Sequence, residues 1–434
     1  MSSLPSRPLL TSVVILMWLF TGWRAMANAG TTTRVSVSSA GRQGNDYSRH
    51  PSISARGRYI AFLSVATNLV VGDTNGAADV FVHDRLSGRT SRVSADSTGQ
   101  QGNADSVAPA ISASGRFVAF ESLASNLVAG DTNGVRDVFV HNRRTGVITR
   151  LSVDSTGRQG NRKSTRPAIS VTGHFVAFES FASNLVGGDT NGVQDVFVHD
   201  PITGRTNRVS VDSTGHQGNG DSFGPVISAA GRFIAFASFA ANLVAGDTNG
   251  VLDVFVHDRH TGITTRVSVD SAGGQGNGHS FDPAISANGR FVSLLSAASN
   301  LVLDDTNGII DIFVHDRSTG GTTRVSVDSA GGQGNDHSRH PSICGKGRFI
   351  AFHSAASNLV EGDTNAVLDV FVHDRSTGVI RRVSVDTDGH QGNFSSLDPA
   401  ISARGCFVAF ESFASNLVLG DTNDDTDVFV HDRK

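Results

Sequence analysis

Gly130-Asp-Thr-Asn-Gly-Val-Arg-Asp-Val-Phe-Val-His141 recurs almost letter for letter at Gly72, Gly188, Gly246, Asp304, Gly362 and Gly420. Each copy follows the last by 58 residues, without insertion or deletion. A length of 434 residues would by itself suggest two or three domains. A fixed period of this size points instead to one repeat architecture of seven units.

Within the second unit, Pro109–Ser112 reads as a short strand and Ala113-Ser-Gly115 as a turn. Arg116–Ser122 is apolar on both alternating faces, as in a strand packed on both sides. Asn126-Leu-Val128 leads into the Gly/Asp/Asn loop, which has turn chemistry. Asp137–Asn142 is a third strand and Ile148–Val153 a fourth, and Asp154–Asn161 carries the chain onward. No segment has a helical apolar period. Four short antiparallel strands per unit, seven times over, predict an all-β, seven-bladed β-propeller. Of 26 Phe, 19 fall at the positions of Phe117, Phe120 and Phe139, where neighbouring blades would bury them.

The ends predict how the ring closes. Thr31-Thr-Thr-Arg-Val-Ser-Val37 is a fourth strand with no blade before it, and Asp427–Lys434 a third strand with none after. The N-terminal strand is expected to join the last blade and remove the open edges of a linear array. A monomer is expected.

Residues 1–29 stand apart. Arg7, the apolar run Leu9–Phe20 and small residues at Ala25, Ala27 and Ala29 fit a secretory signal peptide. The mature chain, 30–434, is then a single propeller with no membrane span, expected in the periplasm or outside the cell. Arg7 and Arg24 leave with the leader, so 34 of 36 basic side chains remain against 40 acidic, a net charge of −6. That balance argues against general nucleic-acid binding. The two cysteines, Cys344 and Cys406, cannot form a disulfide framework.

The units resemble TolB-type, WD-like propeller repeats of bacterial envelopes. The resemblance is carried by Pro109–Ser112, Gly115–Phe120, Asp137–Val140 and Thr145-Gly146 and their equivalents. It spans the mature chain but departs in two ways. The family's Asp-Gly turn is here Ser114-Gly115 or Arg56-Gly57, and the domain that precedes the propeller in TolB is missing. The resemblance implies a propeller that binds proteins or other ligands more often than it catalyses.

Strand alternation places the two long polar loops, Asp154–Asn161 and Gly130–Gly134, on one face, which is the expected functional face. The Asp131-x-Asn133-x-x-x-Asp137 spacing could hold calcium or form an Asx turn. Only the last unit adds an acid at the fifth position, making Asp421, Asn423, Asp425 and Asp427 the candidate calcium ligands. His83, His141, His199, His257, His315, His373 and His431 recur once per unit, so they spread around the ring and cannot converge on one metal. Gly220-Asp-Ser-Phe-Gly224 mimics a hydrolase nucleophile elbow, but that motif needs a strand-to-helix turn. Ser152–Gly157 has one residue too many for a sialidase Asp box.

Five residues before each first strand vary from unit to unit around a constant Ser. They should ring the mouth of the central channel. Arg49, His50, Arg166, Phe223, Phe281, Asp282, Arg339, His340 and Asp398 are the candidate ligand-binding residues there. The leading expectation is a binding module for a protein or glycan ligand. A lyase or hydrolase using His50, His340 and nearby Arg is the alternative, and a structural envelope or matrix protein a third.

Overall fold

The computed structural model describes residues 30–433; the leader expected at 1–29 lies outside them. Twenty-eight strands form seven antiparallel four-stranded sheets. No helix occurs among the described residues, and so none long and apolar enough to cross a membrane. In the second blade the strands are Ser106–Ile111, Phe117–Ser122, Asp137–Asn142 and Ile148–Arg150, the first innermost. The first strand starts three residues before the expected Pro109, because pairing resumes beyond a bulge: Ser106 faces Ser122, and Ala110 faces Ala119. The fourth ends at Arg150, where the side chain turns into the Gly/Asp/Asn loop.

The seventh sheet closes the ring. Strand Thr31–Arg34 pairs antiparallel with Asp427–Asp432, Thr31 opposite Asp432 and Arg34 opposite Phe429. A second closure runs round the tight-turn face. Ala55 N–H donates to Ala113 O, Ala113 to Val171, and so on through Ala229, Ala287, Gly345 and Ala403, whose N–H returns to Ala55 O. These seven bonds measure 2.9–3.2 Å. Five of the seven residues are alanine, with Val171 and Gly345 the others, and a Cβ on Gly345 would make ordinary contact with that of Ala403 at 3.5 Å.

Blade contacts are apolar and repeated. Phe120 and Phe139 stack at 6.0 Å, fully buried against Ala61, Val80 and Val82 of the preceding blade. Each such ring stabilises the fold by about 3 kcal/mol. Gly115 shows why its turn needs glycine: φ is +73°, and a Cβ would sit 2.1 Å from the Tyr59 ring. The constant Ser of the variable segment is internal: Ser106 Oγ bonds Ser122 Oγ at 2.9 Å. Ser222, the false elbow serine, does the same with Ser238. Cys344 and Cys406 are free thiols.

Six of the seven recurrent histidines join blades; the exception is His373, which faces Ile380 and whose Nδ1 has no partner among the described residues. His83 Nδ1 donates to Thr90 Oγ1 at 2.9 Å, because the Thr hydroxyl proton goes to Val37 O of the preceding blade. Where Ile148 replaces the Thr, His141 Nδ1 bonds Val93 O directly at 2.8 Å. Burial lowers all seven pKa values, those of His257 and His431 to about 4.

Deleting residues 31–37 uncovers the edge of Asp427–Asp432 and is expected to abolish the folded monomer. Light scattering and thermal melting check this, and a monomer with unchanged Tm contradicts it. The histidines set a pH response. Their folded pKa values lie below the unfolded value of about 6.5, so their stabilisation is full above that pH and is lost as pH falls through it. Tm is expected to drop between pH 7 and pH 5; calorimetry across that range shows whether it does.

Candidate functional site

The bulge in each first strand positions the site. At that point every blade has a residue with positive φ followed by proline: His50 (51°), Ala108 (51°), Arg166 (50°), Gly224 (61°), Asp282 (54°), His340 (51°) and Asp398 (48°). L-residues avoid this region, so the surrounding sheet must impose it. All seven line one central cavity of about 830 Å³ at the long-loop end of the channel. In four blades the bulge N–H is met by a side chain near the end of the previous blade's second strand. Glu121 Oε2 accepts from Arg166, Glu179 from Gly224 and Glu411 from His50, at 2.7–2.8 Å. His353 Nδ1 accepts from Asp398 N–H at 3.2 Å.

The ring has two unlike halves. Arg166 lies between Ala108 and Gly224, and a Cβ on Gly224 would come within 3.9 Å of its Nη1. Small neighbours thus leave its exposed guanidinium room to reach over the next blade. On the other side carboxylate and imidazole alternate. His340 Nδ1 lies 3.3 Å from Asp282 Oδ2 and 3.5 Å from Asp398 Oδ1, and His50 Nδ1 lies 3.1 Å from Asp398 Oδ2. His340 also stacks on buried His353, ring centroids 5.1 Å apart.

The remaining candidates sit one residue earlier and are not brought into this cavity. Arg49 lies over the rings of Tyr47 and Phe413, at 4.8 and 5.6 Å. Phe223 packs on Phe239 at 6.2 Å, and Phe281 covers an apolar core between blades. Arg339 is exposed.

The hydrogen bond to Asp398 raises the pKa of His50, and the charge of Glu411 adds to it. Burial pushes Asp398 up, but the His50 hydrogen bond and the His340 charge more than offset this and leave it low. Glu411 is raised, by burial and then by the charge of Asp398. His353 falls to about 4, chiefly through burial.

The Gly/Asp/Asn loops have a cation of their own. Arg34 Nη1 lies 3.1 Å from Asp421 Oδ1 and 3.3 Å from Asp427 Oδ2, and Gln43 Nε2 donates to the same two carboxylates. Asp425 N–H donates to Asn423 Oδ1, an Asx turn. Arg92, Arg150, Arg208, Arg266, Arg324 and Arg382 do the same in the other units. The recurrent Asp spacing therefore serves an internal arginine in every blade.

The positions that bear chemistry on a uniform frame define the class: a closed seven-bladed β-propeller with its varied residues gathered at one channel mouth. No protein-family model and no curated protein matches the sequence. Solved structures do match. A manganese complex of oligogalacturonate lyase has a TM-score of 0.55 at 11% identity, covering 94% of each chain. The propeller domain of the Trilobed protease of Pyrococcus furiosus, described as having an open velcro topology, has a TM-score of 0.53 at 10% identity. It covers 90% of this chain and 96% of that one. TolB of Acinetobacter baumannii has a TM-score of 0.40 at 16% identity, over 70% of this chain, which spans 58% of TolB. That likeness is too loose to argue from, so the TolB-type resemblance rests on the repeat residues. At these identities the matches show the fold alone.

Glu121, Glu179, His353 and Glu411 were not singled out from the sequence. A signal existed: their position reads Leu63, Glu121, Glu179, Ala237, Leu295, His353 and Glu411, a second break in the repeat. Two groups of possible metal ligands occur among the described residues, His50 with Asp398 and Glu411, and Asp386 with Asp388 and His390 on an exposed loop.

Replacing a loop arginine leaves its two carboxylates unbalanced, one of them fully buried. Arg92→Leu is expected to cost about 3 kcal/mol in chemical denaturation. A cost below about 1 kcal/mol would show that the loop charges are balanced by something else.

Proposed function

We propose that this chain is an exported propeller that binds a protein or glycan ligand at the channel mouth on its long-loop face. The supporting observation is the contrast within each unit. The frame repeats almost unchanged, while the bulge residue that projects into one shared cavity changes from blade to blade. Such a ring supplies diverse contacts on rigid support, the usual basis of a ligand site. Arg166 with its small neighbours suits a carboxylate or sulfate of the ligand. The His and Asp half suits hydroxyl groups. Acidic oligosaccharides meet both requirements.

A second reading is catalytic. The alternating row Asp282, His340, Asp398 and His50 holds imidazoles against carboxylates, as general acid–base chemistry requires. A lyase or hydrolase would use the same mouth.

Titrating the mature protein with acidic and neutral oligosaccharides and acidic peptides separates these readings. Saturable binding of an acidic ligand, weakened at least tenfold by Arg166→Ala, is expected. Product release that disappears in His50→Ala and His340→Ala would favour the enzyme. Neither binding nor turnover would leave a structural envelope role.

A further inference from the structure

Three of the seven blades place a glutamate beneath the channel mouth, and their surroundings differ. Glu121 accepts from Arg166 N–H and pairs with Arg136 at 2.9 Å. Glu179 accepts from Gly224 N–H and from Thr165 Oγ1, with Arg166 at 3.9 Å. Glu411 accepts from His50 N–H alone: among the described residues no side chain hydrogen-bonds or ion-pairs with it. Thr426 stands where the second blade has Arg136, so the ion pair that Arg136 makes with Glu121 has no counterpart there. Arg49 bonds Thr426 Oγ1 at 3.4 Å and lies against aromatic rings instead.

Glu411 is only 4% exposed, and a second carboxylate, Asp398, lies close to it. Two buried carboxylates side by side are costly unless cations balance them; the charges of His50 and Arg49 do so in part, and a metal ion would join them directly. One imidazole, His50, faces the same point. Ligand atoms of His50, Asp398 and Glu411 all lie within 4.8 Å of one another. Bonds of about 2.1 Å put opposite ligands on one ion roughly 4.2 Å apart, so small side-chain rotations suffice. His340 lies 3.5 Å from Asp398 and could supply a fourth ligand.

We propose that His50, Asp398 and Glu411 form a divalent metal site at the channel mouth, with His340 next to the open coordination positions. One nitrogen with two carboxylate oxygens suits Zn²⁺ or Mn²⁺ better than Ca²⁺ or Mg²⁺, which prefer all-oxygen shells. A metal there would face the cavity opposite Arg166 and could hold an oxygen of the ligand. The inference deepens the ligand-binding reading and rests on it for the purpose of the metal.

The test is calorimetric titration of chelator-treated mature protein with ZnCl₂ and MnCl₂, with no organic ligand present. One site per chain is expected for at least one ion, weakened at least tenfold by Glu411→Gln and by His50→Ala. Both variants suit the frame: Gln can still accept the His50 N–H, and Ala108 already occupies the equivalent bulge at the same φ of 51°. Melting curves confirm that each variant is folded. No saturable binding, or binding unchanged in both folded variants, overturns the proposal. So does binding lost in a His390→Ala variant instead. Because the Arg166→Ala ligand assay can be run in chelator, failure of the metal site and failure of the ligand site are read separately.

Discussion

The pairing of Thr31–Arg34 with Asp427–Asp432 is the contact on which the molecule depends. Each blade is apolar on both faces and cannot bury them alone. A row of seven would leave two bare faces and two open edges. Joining the first segment of the chain to its last blade removes the edges, and the ring that results covers the faces. The hydrogen bond from Ala403 back to Ala55 completes the same closure on the tight-turn face.

Closure also creates the site. The inner strands meet only around an axis, and their bulges turn one side chain per blade toward it. The strained φ at these positions is common to all seven units, Gly224 and Ala108 included, so the frame supports it rather than the chemistry. Residue identity at the bulge is therefore free to vary. The outcome is an asymmetric mouth on a symmetric body, cationic near Arg166 and rich in imidazole and carboxylate from Asp282 round to His50.

Repetition accounts for most of the polar interior as well. The Asp spacing in the loops resembles a cation site in sequence, and in every unit an arginine from the fourth strand pairs with its carboxylates. Five of the recurrent histidines tie blades together through Thr hydroxyls, and His141 bonds the preceding blade directly. Glu411 stands out against this regularity: Glu121 and Glu179 each have a side-chain hydrogen-bond partner, and among the described residues Glu411 has only the His50 N–H.

The sequence by itself determined the number of blades, the strands within them, the closing strand and the face bearing the long loops. These follow from local periodicity and turn chemistry, which a 58-residue repeat states seven times. It also marked the variable segment, but not which of its residues would share a cavity. Arg49 and His50 are adjacent in the chain; one lies on aromatic rings at the rim and the other, at the bulge where pairing shifts register, faces the channel. Tertiary structure alone decided that His50 meets Glu411, 361 residues away, and that Asp398 lies between two histidines. The contacts of His50 with Asp398 and Glu411 exist because ring closure sets the first blade beside the last, and the bulges turn His50 and Asp398 toward one axis.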